Sequence, residues 1–83
     1  MSKTILIIED DKQIMLALSE KLAFEGFSIF KSFDGIEGLR IALEKHPDLI
    51  LLDIVMPKMD GLTMLKKLRE DTWGKDAKVI ILT

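Results

Sequence analysis

Short, β-branched apolar runs alternate along this chain with longer amphipathic stretches. The runs fall at Thr4–Ile8, Phe27–Phe30, Leu49–Leu52 and Val79–Leu82. Between them lie stretches of roughly 11–15 residues whose apolar positions recur at helical spacing. The alternation repeats about every 24 residues, the period of a strand–helix unit rather than of a solenoid. The first and third runs, Ile5-Leu6-Ile7-Ile8 and Leu49-Ile50-Leu51-Leu52, are apolar throughout. Such runs suit central strands of a parallel sheet, which are buried on both faces. Phe27-Ser28-Ile29-Phe30 alternates, as an edge strand can. Right-handed crossovers place helices on both sides of the sheet. The pattern therefore predicts an α/β fold with an open, doubly wound parallel sheet.

Three helices fit between the strands. The first is expected from about Lys12 to Glu25, with Ile14, Met15, Ala17, Leu18 and Leu22 on one apolar stripe. Gly26 supplies the left-handed residue that commonly ends a helix. The second is expected from about Gly35 to Lys45, with Asp34 as N-cap and Ile36, Leu39, Ala42 and Leu43 facing inward. Pro47 disfavours helix at His46 and stops it. The third is expected from about Leu62 to Glu70, with Leu62, Leu65 and Leu68 inward. Trp73-Gly74 then opens a turn before the last strand.

Composition narrows the function classes. Eighty-three residues make one domain at most. With 48% hydrophobic and 31% charged residues the chain is of globular type. A net charge of −2 gives no electrostatic basis for binding nucleic acid or an anionic membrane. There is no cysteine, so disulfides, thiolate metal sites and thiol catalysis are excluded. The apolar runs are far shorter than the roughly 20 residues that span a bilayer. The first residues show no signal-peptide pattern, so a cytoplasmic location is expected. The last run is apolar on both faces, and an exposed edge there is a template for pairing with another chain.

In an open α/β sheet, ligands bind beyond the carboxyl ends of the strands. The first strand leads into Glu9-Asp10-Asp11, the third into Asp53 and the fourth into Thr83. Neighbouring first and third strands would bring these carboxylates into one cleft. Converging carboxylates repel unless a cation compensates. Mg²⁺ suits one or two carboxylates, several waters and a phosphate oxygen. No glycine-rich phosphate loop follows the first strand, which argues against a P-loop or dinucleotide site. A metal-supported carboxylate can attack a phosphoryl group. The loop Asp53-Ile54-Val55-Met56-Pro57-Lys58-Met59-Asp60-Gly61 would hold Asp53 above the sheet, with Pro57 fixing a turn and Gly61 allowing a backbone shape that a Cβ resists. It could also aim the Val55 carbonyl at the metal.

These residues carry a resemblance. ILIIEDD, PDLILLD, D-I-V-M-P-K-M-D-G and the final VIILT, in this order and spacing, resemble the response-regulator receiver domain of bacterial two-component signalling. The resemblance implies a flavodoxin-like, CheY-like fold with strand order 2-1-3-4 over this chain. Residues 1–83 would form the N-terminal two-thirds of the domain, truncated after the fourth strand. The fifth strand, with its phosphate-pairing lysine and switch aromatic, and the last two helices would then be absent. It implies that Asp53 accepts a phosphoryl group from a sensor histidine kinase. Asp10 would bind Mg²⁺ directly and Glu9 through water, with the backbone carbonyl of Val55 as a further ligand. Thr83 would be the switch hydroxyl. A receiver is a signalling domain rather than an enzyme, and self-phosphorylation and dephosphorylation at Asp53 would be its only chemistry.

Plainer roles fit other residues. Asp11 and Asp60 read as caps, His46 as a helix C-terminal residue, and Trp73 as a partly exposed packing residue. The methionines are spread over several elements and read as packing residues. Lys66, Lys67 and Arg69 read as a solvated helix face. An alternative function is an assembly module that forms a homodimer through the fourth strand and does not signal. A phosphatase with a nucleophilic aspartate would carry a second aspartate where Val55 stands. A flavin domain would set the cofactor phosphate against four carboxylates.

Overall fold

A computed structural model describes residues 2–56 and 59–82. The elements are β1 (Thr4–Ile8), α1 (Lys12–Phe24), β2 (Ser28–Ser32), α2 (Gly35–Lys45), β3 (Leu49–Leu52), α3 (Gly61–Arg69), a single 3-10 turn (Gly74–Asp76) and β4 (Val79–Ile81). All pairings are parallel, in the order β2-β1-β3-β4. The central strands are the two continuous apolar runs, as both-face burial requires. None of the described helices is long and apolar enough to cross a membrane.

Strand alternation splits the core into two layers. Leu6 and Ile8 of β1 and Ile50 and Leu52 of β3 face α2 and α3, where Ala42, Met64 and Leu68 are fully buried with them. Ile5, Ile7 and Leu51 face the opposite way and pack on Met15 of α1, with Leu18 and Leu22 at the margin. By register, Ile80 shares the α1 face with Leu51, and Ile81 shares the other face with Leu52. Both are substantially exposed, as the expected exposed edge at this strand implies.

The helices lie where the periodicity put them, and Met15, Leu18 and Leu22 of α1, Leu39, Ala42 and Leu43 of α2 and Leu65 and Leu68 of α3 pack on the core as expected. Ile14, Ile36 and Leu62, expected inward, are 46%, 56% and 61% exposed. Each belongs to the first turn of its helix, where the inward positions are taken instead by Met15, by Gly35 and Gly38, and by Gly61 and Met64. Ala17 is also exposed, and the buried positions of α1 are Met15 and Ser19. In α2 the buried set is Gly35, Gly38 and Ala42, and in α3 it is Gly61, Met64 and Leu68. Glycines approach the sheet side more closely than branched residues can, which hydrophobicity alone does not reveal.

Boundaries shift slightly. β2 runs two residues further than expected, because its ladder to β1 extends through Ser32 opposite Ile8. β4 closes at Ile81, although the Leu82 amide still donates to the Leu52 carbonyl at 2.8 Å. Helix α1 ends on Glu25, followed by Gly26 at φ +101°. Helix α2 ends on His46, which takes a left-handed conformation (φ 47°) and stacks on Trp73 with centroids 4.3 Å apart. The Arg69 guanidinium donates to the carbonyls of Gly74 (2.9 Å) and Ala77 (2.7 Å), so this residue shapes the entry to β4 rather than only facing solvent.

The facing of α3 can be checked by denaturant unfolding. Met64→Ala should cost about 2–5 kcal/mol, the range for emptying a filled core site. Leu62→Ala, on the same helix but exposed, should cost less than about 1 kcal/mol.

Candidate functional site

Each strand-to-helix turn ends on an aspartate that caps the following helix. Asp11 accepts from the amides of Gln13 (2.8 Å) and Ile14 (3.1 Å), Asp34 from Glu37 (2.9 Å) and Asp60 from Thr63 (2.9 Å). These three are occupied by backbone donors, which confirms the capping roles of Asp11, Asp34 and Asp60. The remaining acids of this edge are Glu9, Asp10 and Asp53. One carboxylate oxygen from each lies within 4.8 Å of the others. Glu9 and Asp53 are buried and Asp10 is exposed, so the group opens to solvent on one side.

Parallel pairing makes the convergence unavoidable. Ile8 pairs with Leu52, so the residues that follow, Glu9 and Asp53, leave the sheet side by side. The Asp53 amide donates to the Ile8 carbonyl at 3.0 Å, and the Glu9 amide donates to the Ser32 carbonyl at 3.0 Å. Asp53 Oδ1 accepts the Val55 amide at 3.1 Å, which ties the start of the β3–α3 loop to the acid itself. Glu9 Oε2 accepts the Asp11 amide at 3.0 Å.

Burial pushes the Glu9 carboxyl above its ordinary range, and the charge of Asp53 and contacts with Asp53 and Asp10 push it the same way. The Asp11 amide opposes them without cancelling them. A cation placed among the three oxygens would relieve this directly. The donor set is all hard oxygen, as Mg²⁺ prefers, and two ligands of one Mg²⁺ lie about 3–4 Å apart. A small closure of the group, or a bridging water at one carboxylate, would meet that spacing.

Gly61 has a different reason from the one expected. Its φ is not positive, Gly26 being the described glycine with that geometry. Instead, a Cβ at position 61 would run into the Asp53 carbonyl oxygen and the Ile54 Cα. The Gly61 amide also donates to the Ile54 carbonyl at 3.1 Å. Helix α3 thus starts directly against the backbone of the acid. Pro57 and Thr83, to which the sequence assigned a turn and a switch hydroxyl, lie outside the described residues. A hollow of about 440 Å³, lined in part by Phe27, His46 and Trp73, sits at the opposite, amino end of the sheet and is separate from the acids.

Comparison with known proteins points one way. The family model for the response regulator receiver domain matches residues 5–83. The chain is 42% identical over 79 residues to the DNA-binding dual master transcriptional regulator RpaA of Synechocystis, covering 95% of this chain and 33% of that protein. It thus spans about a third of the length of the curated relatives it matches. The receiver domain of a Pseudomonas aeruginosa sensor histidine kinase, solved with a magnesium ion in its active site cleft, superposes with a TM-score of 0.96 at 28% identity. That match covers all of this chain and 68% of the other. The Thermotoga maritima complex of histidine kinase ThkA with response regulator TrrA matches with a TM-score of 0.87 at 38% identity, covering 98% and 68%.

The raised carboxyl of Glu9 predicts a pH effect. Its folded form holds a proton more tightly than the unfolded chain does, so its contribution to stability is full below the ordinary value of 4.5 and is lost as pH rises through the raised one. Glu9→Gln should therefore stabilise the metal-free protein at pH 7. That advantage should shrink on acidification below pH 4.5, as followed by urea unfolding at each pH.

Proposed function

Because this chain belongs to the response regulator receiver domain family, we propose that residues 1–83 are the phosphoacceptor part of a two-component response regulator, acting in the cytoplasm. Asp53 is the acceptor and a sensor histidine kinase is the donor. The observation that carries this reading is the grouping of Glu9, Asp10 and Asp53 within 4.8 Å at the carboxyl edge of the sheet. The magnesium-bound receiver and the kinase complex among the structural relatives support the choice of cation and partner.

Asp10, exposed and beside two buried acids, would hold the Mg²⁺ ion directly, and Glu9 would reach it through water. Asp53 and the Val55 carbonyl would complete the protein ligands, and Thr83 would supply the switch hydroxyl by resemblance. Bound Mg²⁺ would neutralise charge on the phosphoryl oxygens. The chemistry itself belongs to Asp53. One of its carboxylate oxygens attacks the phosphorus of a phosphohistidine, a P–O bond forms as the P–N bond breaks, and the imidazole keeps the electron pair and takes up a proton. The Val55 amide on Asp53 Oδ1 helps to orient the carboxylate. This makes the chain a signalling domain whose only turnover is its own phosphorylation and dephosphorylation. We propose no nucleic-acid contact for these residues, since DNA binding is named for a relative three times as long and the net charge here is −2.

Incubation with Mg²⁺ and a small-molecule phosphodonor should give a single phosphoryl adduct by intact-mass analysis. The adduct should be absent without Mg²⁺ and absent from Asp53→Asn. Adduct on that variant would sink the assignment.

A second reading is favoured by the exposure of Ile80 and Ile81, 52% and 42%, on the edge strand β4. Two copies pairing along β4 would cover both residues and satisfy the free strand edge. This chain would then sediment as a dimer that dissociates on dilution. A concentration-independent monomer with a cooperative melt would remove this reading and leave the first untouched.

A further inference from the structure

The two acid-bearing segments are joined by a third segment that contributes nothing to the acid group. We infer that the β2–α2 turn, residues 32–35, is a brace that sets the spacing between Glu9 and Asp53, with Ser32 and Gly35 as its positioning residues. The inference rests on the reading of the acid group as a Mg²⁺ site.

Ser32 is fully buried at the end of an edge strand, an unusual place for a hydroxyl. Its carbonyl accepts the Glu9 amide at 3.0 Å, and its hydroxyl donates to the Asp34 carbonyl at 2.7 Å. The Asp34 side chain caps α2 on the Glu37 amide, which fixes where the helix begins. Gly35, the first residue of α2, then meets the β3–α3 loop. A Cβ there would collide with the Met59 carbonyl oxygen, and would lie 3.0 Å from the carbonyl carbon and 3.1 Å from the Met59 Cβ. Nothing in the Gly35 backbone calls for glycine, since its φ is not positive and alanine is the better helix former. Closeness to Met59 is the reason left. Met59 belongs to the loop that starts at Asp53 and returns to it through Gly61. The contacts therefore run from the Glu9 amide through Ser32, Asp34 and Gly35 to the loop of Asp53.

A side chain at position 35 must push the β3–α3 loop away from α2, because a backbone carbonyl cannot swing aside as a side-chain tip can. The expected result is a wider acid group and weaker metal binding, with little change elsewhere. Gly74 is a matched control. A Cβ there would also strike a backbone carbonyl, that of Leu68, but at the amino end of the sheet.

The experiment compares the wild type, Gly35→Ala, Ser32→Ala and Gly74→Ala by Mg²⁺ titration calorimetry, and by amide chemical shifts of the metal-free proteins. Gly35→Ala should bind Mg²⁺ about tenfold more weakly, as loss of a supporting contact around a metal site typically does. It should also shift the amides of Asp53, Ile54 and Val55 before any metal is added. Ser32→Ala should shift the Glu9 amide and weaken Mg²⁺ in the same direction. Gly74→Ala should lose stability and keep both the affinity and those amide positions. A folded Gly35→Ala with wild-type affinity and unmoved loop amides overturns the brace. Should that variant not fold, an unchanged Ser32→Ala overturns it equally. If the wild type binds no Mg²⁺ while the loop amides of Gly35→Ala still move, the metal reading fails and the brace stands.

Discussion

Like charges held side by side at the end of a parallel ladder are the constraint around which this fold is arranged. Parallel pairing of Ile8 with Leu52 delivers Glu9 and Asp53 to the same height above the sheet. Asp10 joins them from the exposed side. In a sheet buried on both faces these acids cannot turn away without breaking the ladder, so their repulsion has to be balanced locally. The carboxyl edge does this with backbone dipoles. The starts of α1, α2 and α3 all lie there, and each offers its unsatisfied N–H groups and positive end to the acids around it. Some charge cost persists, as the raised Glu9 carboxyl shows. A divalent cation among these oxygens would remove a repulsion that folding left in place.

The same edge explains the glycines. Crowding three acids needs the surrounding turns to come close, and closeness at the backbone level needs residues without a Cβ. Gly61 lets α3 begin against the Asp53 backbone, and Gly35 lets α2 begin against Met59. The exposed apolar residues Ile14, Ile36 and Leu62 share their first turns with buried neighbours, Met15, Gly35 and Gly61, that take the inward positions.

Much of this was legible in the sequence, and the limits of legibility are physical. The continuous runs of β1 and β3 gave their central positions, because burial on both faces leaves no polar residue to alternate. Asp11, Asp34 and Asp60 could be read as caps from their places before apolar periodic stretches, and each is one. The acid group followed from strand ends and adjacency. Helix facing followed for residues such as Met15, Leu39, Ala42, Leu65 and Leu68 but not for Ile14, Ile36 and Leu62, which have the hydrophobicity of core residues and lie in first turns whose inward positions go to other residues. The reason for Gly61 was also misread. A φ demand and a close-approach demand produce the same letter, and only the neighbouring backbone distinguishes them. The part played by Ser32 and Gly35 had no signal at all in chemistry-bearing residue types. A serine and a glycine in a turn look like turn formers until the contacts on either side are known.

The two ends of the sheet also differ in how they are held, and this bears on which motions the fold permits. At the amino end, Arg69 reaches across the 3-10 turn to the carbonyls of Gly74 and Ala77, Asp71 accepts the amides of Trp73 and Gly74, and Trp73 stacks on His46 from the preceding loop. These are multiple short contacts from few residues, and they join the entries to β3 and β4. At the carboxyl end Glu9 and Asp53 are tied through both their amides and their carboxylates, and the loop is held by close packing at Gly35 and Gly61. Packing of that kind resists approach but not withdrawal. Any withdrawal of the β3–α3 loop from Gly35 and Gly61 would leave the amino-end contacts, and with them the strand register, in place.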